Sequence, residues 1–497
     1  MLFNSIQFLL FFPLVCIIYF AIPHRIKWIW LLFASYYFYM CWNAKYALLM
    51  FTSTFITWLS GLFISKFNNP ENPKKSKILK NTTVAVSFIS NLAILFFFKY
   101  FDFAIENLNH ILGMLNISLV TPAFDVILPV GISFYTFQAL SYTMDVYREE
   151  IPPERNLFRY MLFVSFFPQL VAGPIERSKN LIHQLHERHK FDFERVKSGL
   201  LLMLWGYFQK LVIADRVAIA VNTVYNSYTD FGGVELILAT VLFAIQIYCD
   251  FSSYTDIARG AAQVMGFRLM DNFKQPYFSR SIAEFWRKWH ISLSGWFKDY
   301  LYIPLGGNRK GTFRKYFNIM MVFLASGLWH GASWNFVIWG ALHGVYQIFG
   351  SMTLSLRKKI CELFSINRNT HAHHFIQRCI TFVLVCFGWI FFRANTFSDA
   401  KGIIRKIFTE FNPWILSDGS LYNIGLDHRQ LFIVFISALV LFIVSYMHYY
   451  NRSIRQAVLK TNIIMRWASI FALIFAVLIF GIYGPGYSES QFIYFQF

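Results

Sequence analysis

Apolar segments of about 17 to 25 residues, the length that crosses a bilayer core as a helix, recur along nearly the whole chain. They lie near residues 5–22, 28–43, 46–65, 82–100, 126–144, 157–172, 199–214, 233–250, 316–352, 376–393, 430–449 and 467–484. The expected architecture is an all-α, polytopic membrane protein with roughly ten to thirteen transmembrane or re-entrant helices and additional interfacial amphipathic helices. Composition agrees. Hydrophobic residues make up 56% and charged residues 14%, too few charges to cover a water-soluble surface. No periodic repeat and no linker divides the chain, so residues 1–497 read as a single domain.

The formal net charge is +19. In a membrane protein such an excess marks cytoplasmic loops, and it does not imply nucleic acid. Lys66, Lys74, Lys75, Lys77 and Lys80 crowd one connection, and further basic stretches run from Arg177 to Lys197, Arg268 to Lys315 and Arg452 to Arg466. Placing these inside puts both termini outside the cytoplasm. The first apolar run has no basic residue before it and is expected to be a retained span, not a cleaved signal. The segments near 126–172 do not fit simple alternation, which points to a re-entrant element.

In 282–303, Phe285, Trp289, Leu293, Trp296 and Tyr300 recur at helical steps of three or four. This predicts an amphipathic helix lying in the interface plane. The six cysteines show no CxxC or ligand-like spacing, and no metal site is expected. His183, His186 and His189, and the group His371, His373 and His374, lie in basic polar loops and read as solvated faces.

From Tyr316 to Leu356 there is no Asp, Glu, Lys or Arg, yet the stretch carries His330 and His343. Lys315 and Arg357 flank it, so a helical hairpin or a broken helix entering and leaving on the cytoplasmic side is expected. A helix from 316 would carry His330 roughly 20 Å into a ~30 Å hydrocarbon layer. Gly327 and Gly331 bracket it and leave room for a ligand or a neighbouring backbone. An imidazole at that depth suits acyl transfer, because it takes a proton from a hydroxyl at physiological pH and frees the oxygen to attack a carbonyl. The other reading is a histidine hydrogen-bonded between helices. His343, thirteen residues further along a continuous helix, would face elsewhere.

His290 follows Arg287, Lys288 and Trp289 and either orients a donor or snorkels at the interface. Arg309, in the run Pro304-Leu305-Gly306-Gly307-Asn308-Arg309-Lys310-Gly311, either holds phosphates of an acyl carrier or belongs to a plain cytoplasmic loop. Asp250 and Asp256 end an apolar span, lining a cavity or marking its exit to water.

The motifs Leu128-Pro129-Val130-Gly131-Ile132-Ser133-Phe134-Tyr135, Phe167-Pro168-Gln169-Leu170-Val171-Ala172-Gly173-Pro174-Ile175-Glu176-Arg177, Phe285-Trp286-Arg287-Lys288-Trp289-His290, Asp299-Tyr300-Leu301-Tyr302-Ile303-Pro304-Leu305-Gly306-Gly307 and Gly327-Leu328-Trp329-His330-Gly331-Ala332 occur in order through the middle of the chain. Together they resemble the bacterial branch of the membrane-bound O-acyltransferase family, nearest to polysaccharide and peptidoglycan acetyltransferases. Ser253 stands where that family usually has glycine. The resemblance implies a catalytic His330 supported by His290; Trp329, Arg287, Lys288 and Arg309 beside these motifs are the candidate substrate-binding residues. It implies no tightly bound cofactor and an acyl-CoA, such as acetyl-CoA, or acyl carrier protein thioester as cytoplasmic donor. It also implies an extracytoplasmic glycan acceptor, an acetyltransferase- or esterase-like partner outside, and residence in the bacterial cytoplasmic membrane. The aromatic tail Ser488–Phe497 resembles that of a small protein in the teichoic-acid D-alanylation system. On that likeness Tyr494 is a possible acyl acceptor; an interfacial anchor is the other account. A secondary transporter and an export-complex scaffold are the competing function classes.

Overall fold

In the computed structural model, residues 1–67, 71–117, 119, 128–171 and 173–484 are described, and no β-strand occurs among them. The tail carrying Tyr494 lies outside the described residues. The chain divides into two compact units, residues 1–200 with 257–270, and residues 201–256 with 271–497.

The chain begins with α1 (Ile6–Ala21), α2 (His24–Met40), α3 (Ala44–Lys66), α4 (Pro73–Lys99), α5 (Phe101–Met114) and α6 (Ile132–Tyr147). The short α7 (Leu157–Ser165), α8 (Phe167–Leu170) and α9 (Ser178–Gln184) come next, then α10 (Phe193–Tyr207) and a π-helical stretch over Phe208–Ala214. There follow α11 (Asp215–Asn226), α12 (Gly233–Met265), α13 (Ile282–Lys288), α14 (Ile291–Phe297), α15 (Gly311–His330) and α16 (Trp334–Met352). The chain continues through α17 (Leu354–Leu363), α18 (His371–Arg393), α19 (Phe397–Thr409), α20 (His428–Tyr449), α21 (Ile454–Lys460) and α22 (Ile463–Phe480). A helix occupies every apolar segment of the sequence. Among the described residues six are long and apolar enough to cross a membrane: α3, α4, α12, α18, α20 and α22.

The outermost helices expose what a soluble protein would hide. Phe432 and Phe435 on α20, and Ile464, Phe475 and Ile479 on α22, are all exposed. With lipid as the solvent this surface needs no cover. Between helices, where lipid removes the hydrophobic drive to associate, hydroxyl and amide pairs hold the first unit together. Ser53 donates to Asn91 at 2.5 Å, joining α3 to α4, and Tyr160 donates to Thr57 at 2.9 Å, joining α7 to α3. Ser87 and Thr143 meet at 3.2 Å between α4 and α6.

The stretch near 157–172, in the region where a re-entrant element is expected, is not one span: α7 has 9 residues and α8 has 4, with Pro168 in the first turn of α8. Nine residues reach about 14 Å, half a hydrocarbon core. The stretch 282–303 is not one interfacial helix either. It breaks at Trp289–His290 into α13 and α14 and ends in a π-helical turn. Its aromatic face points into the protein, with Phe285, Trp289, Leu293 and Trp296 all buried. Periodicity identifies the apolar face correctly but not what covers it.

Candidate active site

The charge-free stretch folds as the expected hairpin. α15 ends at His330, the chain turns through Gly331–Ser333, and α16 returns. The two helices pack backbone to backbone. A Cβ on Gly327 would strike the Phe336 carbonyl, and one on Gly340 would strike the Phe323 carbonyl. Gly327 and Gly331 therefore make room for the neighbouring chain, since a Cβ on Gly331 would meet the Phe336 ring.

This packing sets His330 at the closed end of the hairpin, 4% exposed. Its ring meets Trp339 edge-on at 5.1 Å, Phe392 of α18 at 5.3 Å and Trp329 at 5.0 Å between centroids. His290 arrives from the α13–α14 junction, fully buried, with its ring 6.4 Å from His330 and 5.8 Å from Trp329. Phe251 of α12 packs on its other side at 4.6 Å. Burial excludes the surface-snorkelling account of His290.

His290 holds a left-handed backbone, φ 42°, which is uncommon outside glycine and costs of order 1–3 kcal/mol. The fully buried Asn272 secures the residues after it. Its carbonyl accepts from Ile291 N at 3.0 Å, and its Oδ1 accepts from Ser292 Oγ at 2.6 Å. Its amide in turn donates to Thr255 of α12 at 3.2 Å. Such strain persists only where the surroundings over-determine it, and it concentrates at functional sites.

His343 belongs to the same aromatic box, contrary to the helical-step argument. The turn at 331–333 interrupts the helix on which that argument rests. His343 is fully buried, and its Nδ1 accepts from Trp286 Nε1 at 3.2 Å. Gly388 of α18 leaves space for it, since a Cβ there would lie 2.8 Å from His343 Nε2. An indole N–H only donates, so Nδ1 is the unprotonated nitrogen. The arrangement thus contains an imidazole at the end of a buried hairpin, a second one beside it, and a wall of Trp329, Trp339 and Phe392 against water. Such a site can take a proton from a hydroxyl and deliver it to a leaving group.

The family model for "MBOAT, membrane-bound O-acyltransferase family" matches residues 42–392. The chain belongs to the membrane-bound O-acyltransferase family. It is 38% identical to a probable alginate O-acetylase of Pseudomonas putida, over 84% of this chain and 82% of the relative. It is 33% identical to a peptidoglycan O-acetyltransferase of Helicobacter pylori, over 76% and 73%. A teichoic acid D-alanyltransferase of Bacillus subtilis is more distant, 28% identical over 56% of this chain and 71% of the relative. This protein is therefore an O-acyltransferase of the membrane, which separates it from the transporter and the scaffold.

Of the residues singled out in sequence, the acyltransferase brings together His330, His290 and Trp329. Arg287 and Arg309 are exposed, outside the buried box. Lys288 is partly exposed, paired with Glu284 at 2.6 Å and stacked over Tyr449 at 5.2 Å. Asp250 does not mark an exit to water, because α12 continues 15 residues beyond it. It is 1% exposed and faces the fully buried Lys210, whose Nζ lies 2.7 Å from Asp250 and 2.8 Å from Asp215. Ser253, in the family's glycine position, turns its hydroxyl onto the Asp250 carbonyl at 2.7 Å and so fits without an unmet donor. Asn272, Trp286 and Trp339 were not readable as site residues, nor was Lys210 as the centre of a buried ion pair. Only Trp286 sat inside a recognised motif.

Proposed function

We propose that this acyltransferase moves an acetyl group from a cytoplasmic thioester, acetyl-CoA or a charged acyl carrier protein, toward hydroxyls of an extracytoplasmic polysaccharide. His330 is the general base and His290 its neighbour in the site. The observation that carries this reading is the meeting of two buried imidazoles, 6.4 Å apart, at the end of a membrane hairpin. The names of the alginate and peptidoglycan relatives support a glycan hydroxyl and an acetyl group.

In the proposed step His330 removes the hydroxyl proton as the oxygen attacks the thioester carbonyl. The carbon–sulfur bond breaks, the ester forms, and the proton passes to the departing thiolate. Water excluded by the tryptophan wall cannot compete for the acyl group. The reading requires donor and acceptor to reach this one histidine from opposite faces of the membrane.

The test uses full-length protein in nanodiscs with labelled acetyl-CoA. His330→Gln is expected to insert and fold normally while losing ~10²–10⁴-fold in transfer rate. Turnover near the parent rate by the folded variant rejects the assignment.

A further inference from the structure

The first unit contains a cavity whose lining includes none of the residues of the His330–His290 site. It is partly open, about 230 Å³ in volume, and lies where α1 turns into α2. Arg25, Lys27 and Arg159 line it, with Glu187 as the one carboxylate of the lining. The start of α2 has no acid in its first turn and no side-chain cap, so its N–H groups and partial positive charge add to these cations. Burial and the charges of Arg188, Lys27 and Arg159 hold His24 below the usual histidine range.

The cations are built into place. Lys27 Nζ donates to the His189 carbonyl at 3.2 Å and stands over the Tyr19 ring at 4.7 Å. Arg159 stacks on Trp28 at 5.3 Å and donates to His186 Nδ1 at 2.8 Å. A guanidinium only donates, so His186 carries its proton on Nε2 and gives it to Glu154 at 2.8 Å. That carboxylate also accepts from the Asn156 N–H and offsets part of the positive charge, leaving Arg25, Lys27 and Arg159 against Glu154 and Glu187. Of the histidines expected on a solvated face, His183 and His186 are exposed, and His186 and His189 also line this cavity. α9 ends at Gln184, so His186 and His189 do not continue its helical face.

Size and surroundings restrict the ligand. A volume of about 230 Å³ exceeds that of a few waters at ~30 Å³ each but falls below the roughly 300–1,000 Å³ that encloses a whole small-molecule ligand. A phosphate and its first linking atoms fit, and the rest of the ligand extends through the open side. Ile17 of α1 and Ile26 and Ile29 of α2 are exposed on the helices that form the cavity, which is where acyl chains run.

We propose that this cavity binds the phosphodiester headgroup of an anionic phospholipid, with its chains lying along α1 and α2. The experiment measures lipid retained by purified full-length protein, by native mass spectrometry. The probes are dihexanoyl-phosphatidylglycerol, dihexanoyl-phosphatidylcholine and inorganic phosphate. The parent protein should retain phosphatidylglycerol over phosphatidylcholine, and Arg25→Gln combined with Lys27→Gln should reduce that retention at least tenfold. Arg25 is exposed, so Arg25→Gln alone gives a fold-neutral check, and Arg25→Lys should restore retention. Equal retention by parent and charge-removed proteins overturns the proposal. Binding of inorganic phosphate with no preference between the lipids also overturns it, and assigns the cavity to a soluble phosphoanion. His330→Gln should retain lipid like the parent, which keeps this outcome separate from the acyl-transfer reading.

Discussion

His343 and His290 are both fully buried, yet they do different work. His290 stands next to His330 on a strained backbone held by Asn272. His343 accepts the indole N–H of Trp286 and so fixes one wall of the box. A leucine at 343 would fill similar space but leave that buried N–H unmet, a loss of about 1–3 kcal/mol. His343→Leu is therefore expected to lower the unfolding midpoint of the detergent-solubilised protein. An unchanged midpoint would show that Trp286 finds another acceptor. At this scale the sequence reveals His330, because a charge-free stretch isolates it at depth. It does not reveal His343, whose apparent face depends on a turn three residues long.

Among the elements, the π-helical stretch Phe208–Ala214 carries a burden the hydropathy pattern hides. It presents Lys210 to Asp215 and Asp250 in a region that reads as plain apolar helix. Removing the lysine alone leaves two buried carboxylates without their cation, a cost of about 3–5 kcal/mol. Lys210→Met should sharply lower the melting temperature, and adding Asp215→Asn and Asp250→Asn should recover much of the loss. If Lys210→Met melts with the parent, the triad contributes nothing to stability. The hairpin of α15 and α16 is legible for the opposite reason. Its length, flanking cations and glycines are all local, so the element can be drawn before its neighbours are known.

At the scale of the whole molecule, lipid-facing helices and basic connections set the topology. The connection between α3 and α4 is lysine-rich, whereas Glu410 to Asp427, between α19 and α20, contains acids and no Lys or Arg. Lys401, Arg405 and Lys406 lie on α19 just before it, so the expectation that the two connections face opposite sides rests on the basic stretches 357–368 before α18 and 452–466 after α20. Lys75 and Asp418 are both exposed. Single cysteines at Lys75 and Asp418, in a background without native cysteines, should react with an impermeant reagent from opposite faces of the membrane. Reaction of both in intact cells refutes the orientation. What the sequence determined by itself is the all-α membrane class, the helix positions outside 157–172 and 282–303, the hairpin and the family, because span length, charge and short motifs are local properties. The tertiary structure alone decided that the aromatic face of 282–297 turns inward and that His290 meets His330. It also decided that Lys210 lies between two aspartates. The physical reason is the solvent: lipid tails and a protein core are about equally apolar, so hydropathy does not distinguish a face that meets lipid from one that meets another helix.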